Sequence, residues 1–129
     1  MKTAKQNPLL LLVDDDPKIL SILKKRLLLL NYDVVTAENG HDAWRIAQEN
    51  HPDAIILDIM MPGMNGWEVC RAIRSDPALQ HTPILTLSGI SESLNDLTSP
   101  LFGANAHLDK PFEFTALVSA VKSLLAPPN

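Results

Sequence analysis

Short, continuously apolar runs alternate along the chain with segments whose apolar residues recur at helical spacing. Pro8–Val13 has strand length and carries no polar alternation, the pattern of a strand buried on both faces. Ala54–Leu57 repeats it and runs into Asp58, and Pro83–Leu87 repeats it again before Ser88. Tyr32–Ala37 is a β-rich run, and Ala106–Leu108 is a brief one leading to Asp109, Lys110 and Pro111. Between them, Pro17–Asn31 places Ile19, Leu20, Leu23, Leu27 and Leu30 on one helical stripe, with Asp16 suited to cap it and Pro17 to its first turn. His41–Asn50 predicts a helix packed through Ala43, Ile46 and Ala47. Gly66–Ser75 predicts one packed through Val69, Cys70 and Ile73, and Phe112–Leu125 one packed through Leu117, Val121 and Leu124. Alternation of buried strands with helices predicts a parallel sheet covered on both faces. The domain is expected over residues 8–126, with 1–7 a frayed polar tail and 127–129 a tail or the start of a linker.

In such a sheet chemistry gathers at the carboxyl ends of the strands. Here those ends carry Asp14 and Asp15, then Asp58, Ser88 and Lys110. Carboxylates brought together repel: at about 4 Å and an effective dielectric of about 20, a pair costs about 4 kcal/mol. The cluster therefore calls for a cation, and an all-oxygen donor set with few protein ligands favours Mg²⁺ beside a phosphate. An ionised Asp58 needs no base to act as a nucleophile on phosphorus, and Lys110 and Ser88 supply charge and a hydrogen bond to the phosphoryl oxygens.

Composition narrows the field. The chain has 129 residues, 46% of them hydrophobic and only 5% aromatic, so aliphatic side chains must build one core. A net charge of −4, with no basic stripe, argues against direct nucleic-acid binding. The single Cys70 excludes an intrachain disulfide, and neither the Leu9–Val13 nor the Leu27–Leu30 run is long enough to span a membrane. The expectation is a cytoplasmic protein without membrane attachment.

Four segments resemble the receiver domain of two-component response regulators: Leu11-Leu12-Val13-Asp14-Asp15-Asp16, Ile55-Ile56-Leu57-Asp58 through Pro62 to Gly66, Leu87-Ser88-Gly89, and Lys110-Pro111-Phe112. They stand in the family's order over roughly Pro8 to Leu125. The resemblance implies a doubly wound α/β fold, a five-stranded parallel sheet of flavodoxin-like order 2-1-3-4-5 flanked by five helices. It makes Asp58 the phosphoacceptor. Asp15, Asp58 and the Met60 carbonyl become Mg²⁺ ligands, with Asp14 acting through water. Ser88 and Lys110 contact the phosphoryl group, and the peptide before Pro111 is cis. It further implies a histidine kinase or histidine phosphotransfer protein as donor, an undefined downstream target or output domain, and a protein that promotes its own Mg²⁺-dependent phosphorylation and dephosphorylation rather than an enzyme of free turnover.

His107 occupies the position where the family usually carries an aromatic residue that swings inward on activation, so with Ser88 it forms the expected switch. Since a charged imidazole resists burial, protonation of His107 is expected to favour the inactive arrangement. Asp16 is expected to cap rather than ligate. His41, His51 and His81 are expected at the surface, and Trp44 and Trp67 as packing or surface aromatics. Ser91–Phe102, rich in poor helix formers and holding Pro100, predicts an irregular fourth helix, which puts the family's usual dimer face in doubt. Ile22, Leu28 and Leu29 lie beyond the core stripe of the first helix, as extra packing or as a patch for the phosphoryl donor. Three rivals fit less well. A haloacid-dehalogenase-like phosphohydrolase needs Asp-x-Asp at the first strand and a cap domain. A receiver that never takes phosphate would not be expected to keep all five site positions. A flavin carrier needs a Gly/Ser/Thr phosphate loop where Asp14–Asp16 stands.

Overall fold

A computed structural model describes residues 7–61, 63–89 and 103–126. Nine elements follow one another: β1 (Leu9–Val13), α1 (Pro17–Leu29), β2 (Asp33–Ala37), α2 (Gly40–Asn50), β3 (Ala54–Asp58), α3 (Gly66–Ser75), β4 (Ile84–Ser88), β5 (Ala106–Asp109) and α4 (Phe114–Leu125). The strands form one sheet in the order β2-β1-β3-β4-β5, and every neighbouring pair is parallel. This is the expected doubly wound arrangement. Four of the five expected helices fall among the described residues, and the Ser91–Phe102 helix lies outside them.

Side-chain alternation along the apolar strands divides the core into two layers. Leu10, Leu12, Ala54, Ile56, Leu85 and Leu87 face α1 and α4, where they meet Leu20, Leu23, Leu27, Leu117 and Val121. Leu11, Val13, Ile55, Leu57 and Ile84 face α2 and α3, where they meet Ala43, Ala47, Val69, Cys70 and Ile73. Strands covered on both sides need no polar face, which is why the sequence shows unbroken apolar runs. Each fully buried Leu or Ile contributes about 1.5–3 kcal/mol of transfer free energy, so the two layers dominate stability.

The first helix differs from its expected outline. Leu20, Leu23 and Leu27 are buried, but Ile19 is 39% and Leu30 47% exposed. Ile19 is one residue, about 100°, off the buried stripe, and Leu30 follows the end of α1 as its cap, before Asn31 turns into the left-handed region at φ 71°. Ile22, Leu28 and Leu29 are exposed as well, Leu29 at 83%, so they are not extra packing within this chain's described residues. Asp16 caps α1 as expected, its carboxylate accepting from the Lys18 N–H at 2.9 Å. The last helix starts at Phe114 rather than Phe112, with Phe112 partly buried against the core.

Arg74, at the end of α3, ties the helix to both neighbouring loops. Its guanidinium donates to the carbonyls of Gly103, Gln80 and Thr82 and to Asn105 Oδ1, at 2.7–3.0 Å. Asn105 Oδ1 also accepts from the Ile84 N–H, so one cation registers the entry to β5 against the entry to β4.

Candidate phosphoryl-transfer site

The sheet itself sets the site. Val13 pairs with Leu57, Asp58 with Leu87, and Ser88 with Asp109, so the strand ends lie side by side. Backbone bonds continue just past them, from Asp14 N–H to Ala37, Ile59 N–H to Leu87 and Lys110 N–H to Ser88. Asp14, Asp58, Ser88 and Lys110, far apart in sequence, are thereby fixed along one edge. The Lys110–Pro111 peptide is cis, as the resemblance implied. Gly66 lets the loop after β3 fold back tightly: a Cβ there would lie 2.7 Å from the Asp58 carbonyl oxygen and from Ile59 Cα. The Asn65–Glu68 capping box then starts α3 immediately behind the loop.

Carboxylate oxygens of Asp14, Asp15 and Asp58 lie within 4.8 Å of one another. Asp14 and Asp58 are buried at 3% and 4% exposure, while Asp15 is exposed. Met60, two residues past Asp58, has an exposed side chain on the loop leaving β3. The Lys110 ammonium reaches over the pair, 3.2 Å from Asp58 Oδ1 and 3.7 Å from Asp14 Oδ2. Asp14 Oδ1 is held by the Asp16 N–H at 2.9 Å, but Asp14 Oδ2 is buried without a hydrogen bond.

Burial raises the Asp58 carboxyl to about 6; the Lys110 charge pulls it down and Asp14 pushes it up again. Asp14 is raised for the same first reason, burial, against the Asp16 N–H and Lys110. Lys110 is drawn down by burial but raised on balance by Asp58 and Asp14. One ammonium does not neutralise three acids. The unsatisfied Asp14 oxygen beside two further carboxylate oxygens is a donor set that fits a small hard cation. The side chains of Asp14, Asp15 and Asp58 are the ones that would hold it.

Ser88 is buried, and its hydroxyl lies 2.8 Å from His107 Nε2. His107 Nδ1 lies 2.7 Å from Thr86 Oγ1, and Nε2 is also 3.2 Å from Asp109 Oδ1. The sequence reading missed Thr86 and Asp109 as partners of this ring. Strand alternation held the signal, since Thr86 and Ser88 share a face of β4, His107 and Asp109 share a face of β5, and Thr86 pairs with His107. His41, His51 and His81 are exposed, Trp44 and Trp67 are partly buried, and Cys70 is sealed in the core, its thiol pushed up by burial to about 12.

Comparison with known proteins agrees with this geometry. The sequence profile of the response regulator receiver domain matches residues 10–122. The transcriptional regulatory protein PrrA of Mycobacterium tuberculosis is 42% identical over 126 residues, 97% of this chain and 53% of that protein. The chain spans about half the length of the curated relatives it matches. Among solved structures, chemotaxis protein CheY4 of Vibrio cholerae superposes with a TM-score of 0.85 at 32% identity, covering 92% of this chain and 99% of that one. The receiver domain of sensor histidine kinase PA1611 of Pseudomonas aeruginosa, solved with a magnesium ion coordinated in its active-site cleft, gives 0.84 at 27% identity over 92% and 98%.

Proposed function

Because the chain belongs to the response regulator receiver domain family, we propose that Asp58 is its phosphoacceptor and that Asp14, Asp15, Asp58 and the Met60 carbonyl hold Mg²⁺ during transfer. The observation that carries the reading is the Lys110 ammonium 3.2 Å from Asp58 Oδ1, with Asp14 Oδ2 buried and unsatisfied beside it. An Asp58 oxygen forms the new bond to phosphorus while the bond from phosphorus to the donor's nitrogen or oxygen breaks, and no proton has to leave Asp58. Lys110 offers charge to the phosphoryl oxygens and Ser88 a hydroxyl. When bound, Mg²⁺ neutralises the carboxylates and the phosphoryl oxygens together. The same groups then serve hydrolysis, so the domain promotes both the gain and the loss of its own phosphoryl group.

A histidine kinase or histidine phosphotransfer protein is the natural donor for this chemistry, and the exposed Ile22 and Leu29 of α1 offer it an apolar contact. His107 with Ser88 carries the change to a downstream partner. Nucleic-acid contact is not assigned to these residues, whose net charge is −4. No helix among the described residues is long and apolar enough to cross a membrane.

Incubation with acetyl phosphate and Mg²⁺, followed by intact mass, tests the reading. One phosphoryl group is expected, and none after EDTA. Polar replacement of Ile22 and Leu29 should leave this small-donor reaction unchanged while slowing transfer from a protein donor. An unmodified mass, or modification that persists without metal, contradicts the proposal.

A further inference from the structure

Helix α1 has two unlike sides. Leu20, Leu23 and Leu27 face the core, while Lys18, Ile22, Lys25, Arg26 and Leu29 fall within about 100° of one another on the side turned away. All five are exposed. Beside this strip the cap Leu30 joins Phe114, Val118 and Lys122 of α4 in lining a groove of about 480 Å³. The Arg26 guanidinium lies over the Phe114 ring, 4.0 Å from its centroid, so cations of both helices border the groove. Neither helix contains an acid: together they hold five of the chain's 11 Lys and Arg and none of its 15 Asp and Glu. Lys24 turns to the β2 flank, where it lines a pocket with Glu38. The other four cations, Lys18, Lys25, Arg26 and Lys122, give a chain of net charge −4 one cationic, aliphatic face.

We infer that the α1–α4 face docks on an anionic lipid bilayer, its Lys and Arg side chains reaching the headgroups while Ile22, Leu29 and Leu30 enter the interface. Charge selects an anionic surface, and the side-chain types select lipid over protein. Protein interfaces gather aromatic residues and Arg at their centres and are poor in Lys. Here the exposed apolar residues of the strip are Ile22 and Leu29, and three of the four outward cations are Lys. Lysine suits a lipid surface, since its methylene stem lies along apolar groups while its ammonium stays among headgroups. A second copy of the chain would set these cations against their own images. The acid-rich remainder of the molecule is repelled by the same bilayer, which fixes the orientation of docking. Asp14, Asp15 and Asp58 lie at the other end of α1, roughly 18 Å along the helix from Leu29, so the leucine-rich end makes the deeper contact.

The inference goes beyond phosphoryl transfer and does not depend on Asp58. It departs from the expectation of no membrane attachment, which rested on the lack of a spanning segment: reversible surface binding needs only an apolar contact and a basic patch. Ile22 and Leu29 are also the residues offered to a protein donor, so lipid and donor compete for one face.

Flotation of the full chain with vesicles tests it, using phosphatidylcholine alone and phosphatidylcholine mixed equally with phosphatidylglycerol. The protein should float with the mixed vesicles and stay behind with the neutral ones. Raising salt from about 0.1 to about 1 M, which shortens the screening length from about 10 to about 3 Å, should release it. Lys25→Gln and Arg26→Gln should each weaken binding about fivefold. Ile22→Ser with Leu29→Ser should weaken it about tenfold or more. All of these positions are exposed, so the urea midpoints of the variants should match the parent. Arg45→Gln, which removes an exposed cation from α2, should leave flotation unchanged. The inference is overturned by equal flotation with neutral vesicles, by an equal loss in Arg45→Gln, or by full binding in the Ile22→Ser, Leu29→Ser variant. It is overturned as well if the mixed vesicles capture nothing while the same substitutions slow transfer from a protein donor, since the face then serves that donor alone.

Discussion

Asp58→Asn should lose all phosphoryl incorporation and at the same time give a more stable metal-free fold. The first effect follows from removing the proposed acceptor, the carboxylate 3.2 Å from the Lys110 ammonium. The second follows from the raised Asp58 carboxyl. Folded, it holds its proton up to about pH 6, whereas its ordinary value is 3.8. Between these values the folded state binds more protons than the unfolded one, so stability falls as pH rises through the window and the deficit is complete above it. The difference from the ordinary value corresponds to about 3 kcal/mol. Asparagine removes the buried charge but also the ion pair with Lys110, which leaves an expected gain of about 1–3 kcal/mol at pH 7.5. Urea unfolding in EDTA measures it. The advantage should shrink toward zero near pH 4, and Mg²⁺ should narrow it at pH 7.5 by stabilising the parent protein through binding. A variant less stable than the parent in EDTA at pH 7.5 would contradict the electrostatic account.

Lys110→Ala should slow acyl-phosphate formation by about 100-fold or more, the usual consequence of removing a preorganised cation from a transition state that gathers charge on oxygen. A second effect acts in the same direction. Lys110 is the largest influence holding the Asp58 carboxyl down, so without it the nucleophile stays protonated to higher pH. The rate with acetyl phosphate and Mg²⁺ should therefore drop, and in EDTA the Asp58 titration should move to higher pH. Arginine restores charge but not shape, because a planar fork replaces a compact ammonium between two carboxylates 3.2 and 3.7 Å away. A rate that drops while the Asp58 titration in EDTA stays in place would mean that Lys110 acts on the phosphoryl group alone.

Much of this site was legible in the sequence because a parallel sheet turns order along the chain into position in space. Once Leu9–Val13, Ala54–Asp58 and Ile84–Ser88 are recognised as strands buried on both faces, their carboxyl ends must share an edge, and Asp14, Asp58 and Ser88 must meet there. Lys110 needed the fifth strand, which is short and only partly buried, and its place rested on motif resemblance as much as on pattern. Helix α1 was harder, since nearly every apolar residue in Ile19–Leu30 could join a stripe and only packing decides that Leu20, Leu23 and Leu27 are inward. Strand alternation puts Thr86, Ser88 and His107 on one face of the sheet, but which of them meet depends on side-chain rotamers, which the pattern does not encode. Arg74 escaped for a similar reason: a charged residue on an amphipathic helix predicts a solvated face, not four bonds into neighbouring loops.

Locating the phosphoryl group tests the central claim most directly. Borohydride reduces an acyl phosphate to the alcohol, so protein treated with acetyl phosphate and Mg²⁺, then reduced and digested, should yield homoserine at position 58. Asp14 and Asp15 should remain aspartate. Reduction at either of those two residues, or an adduct that resists borohydride because it sits on a serine, threonine or histidine, would contradict the account.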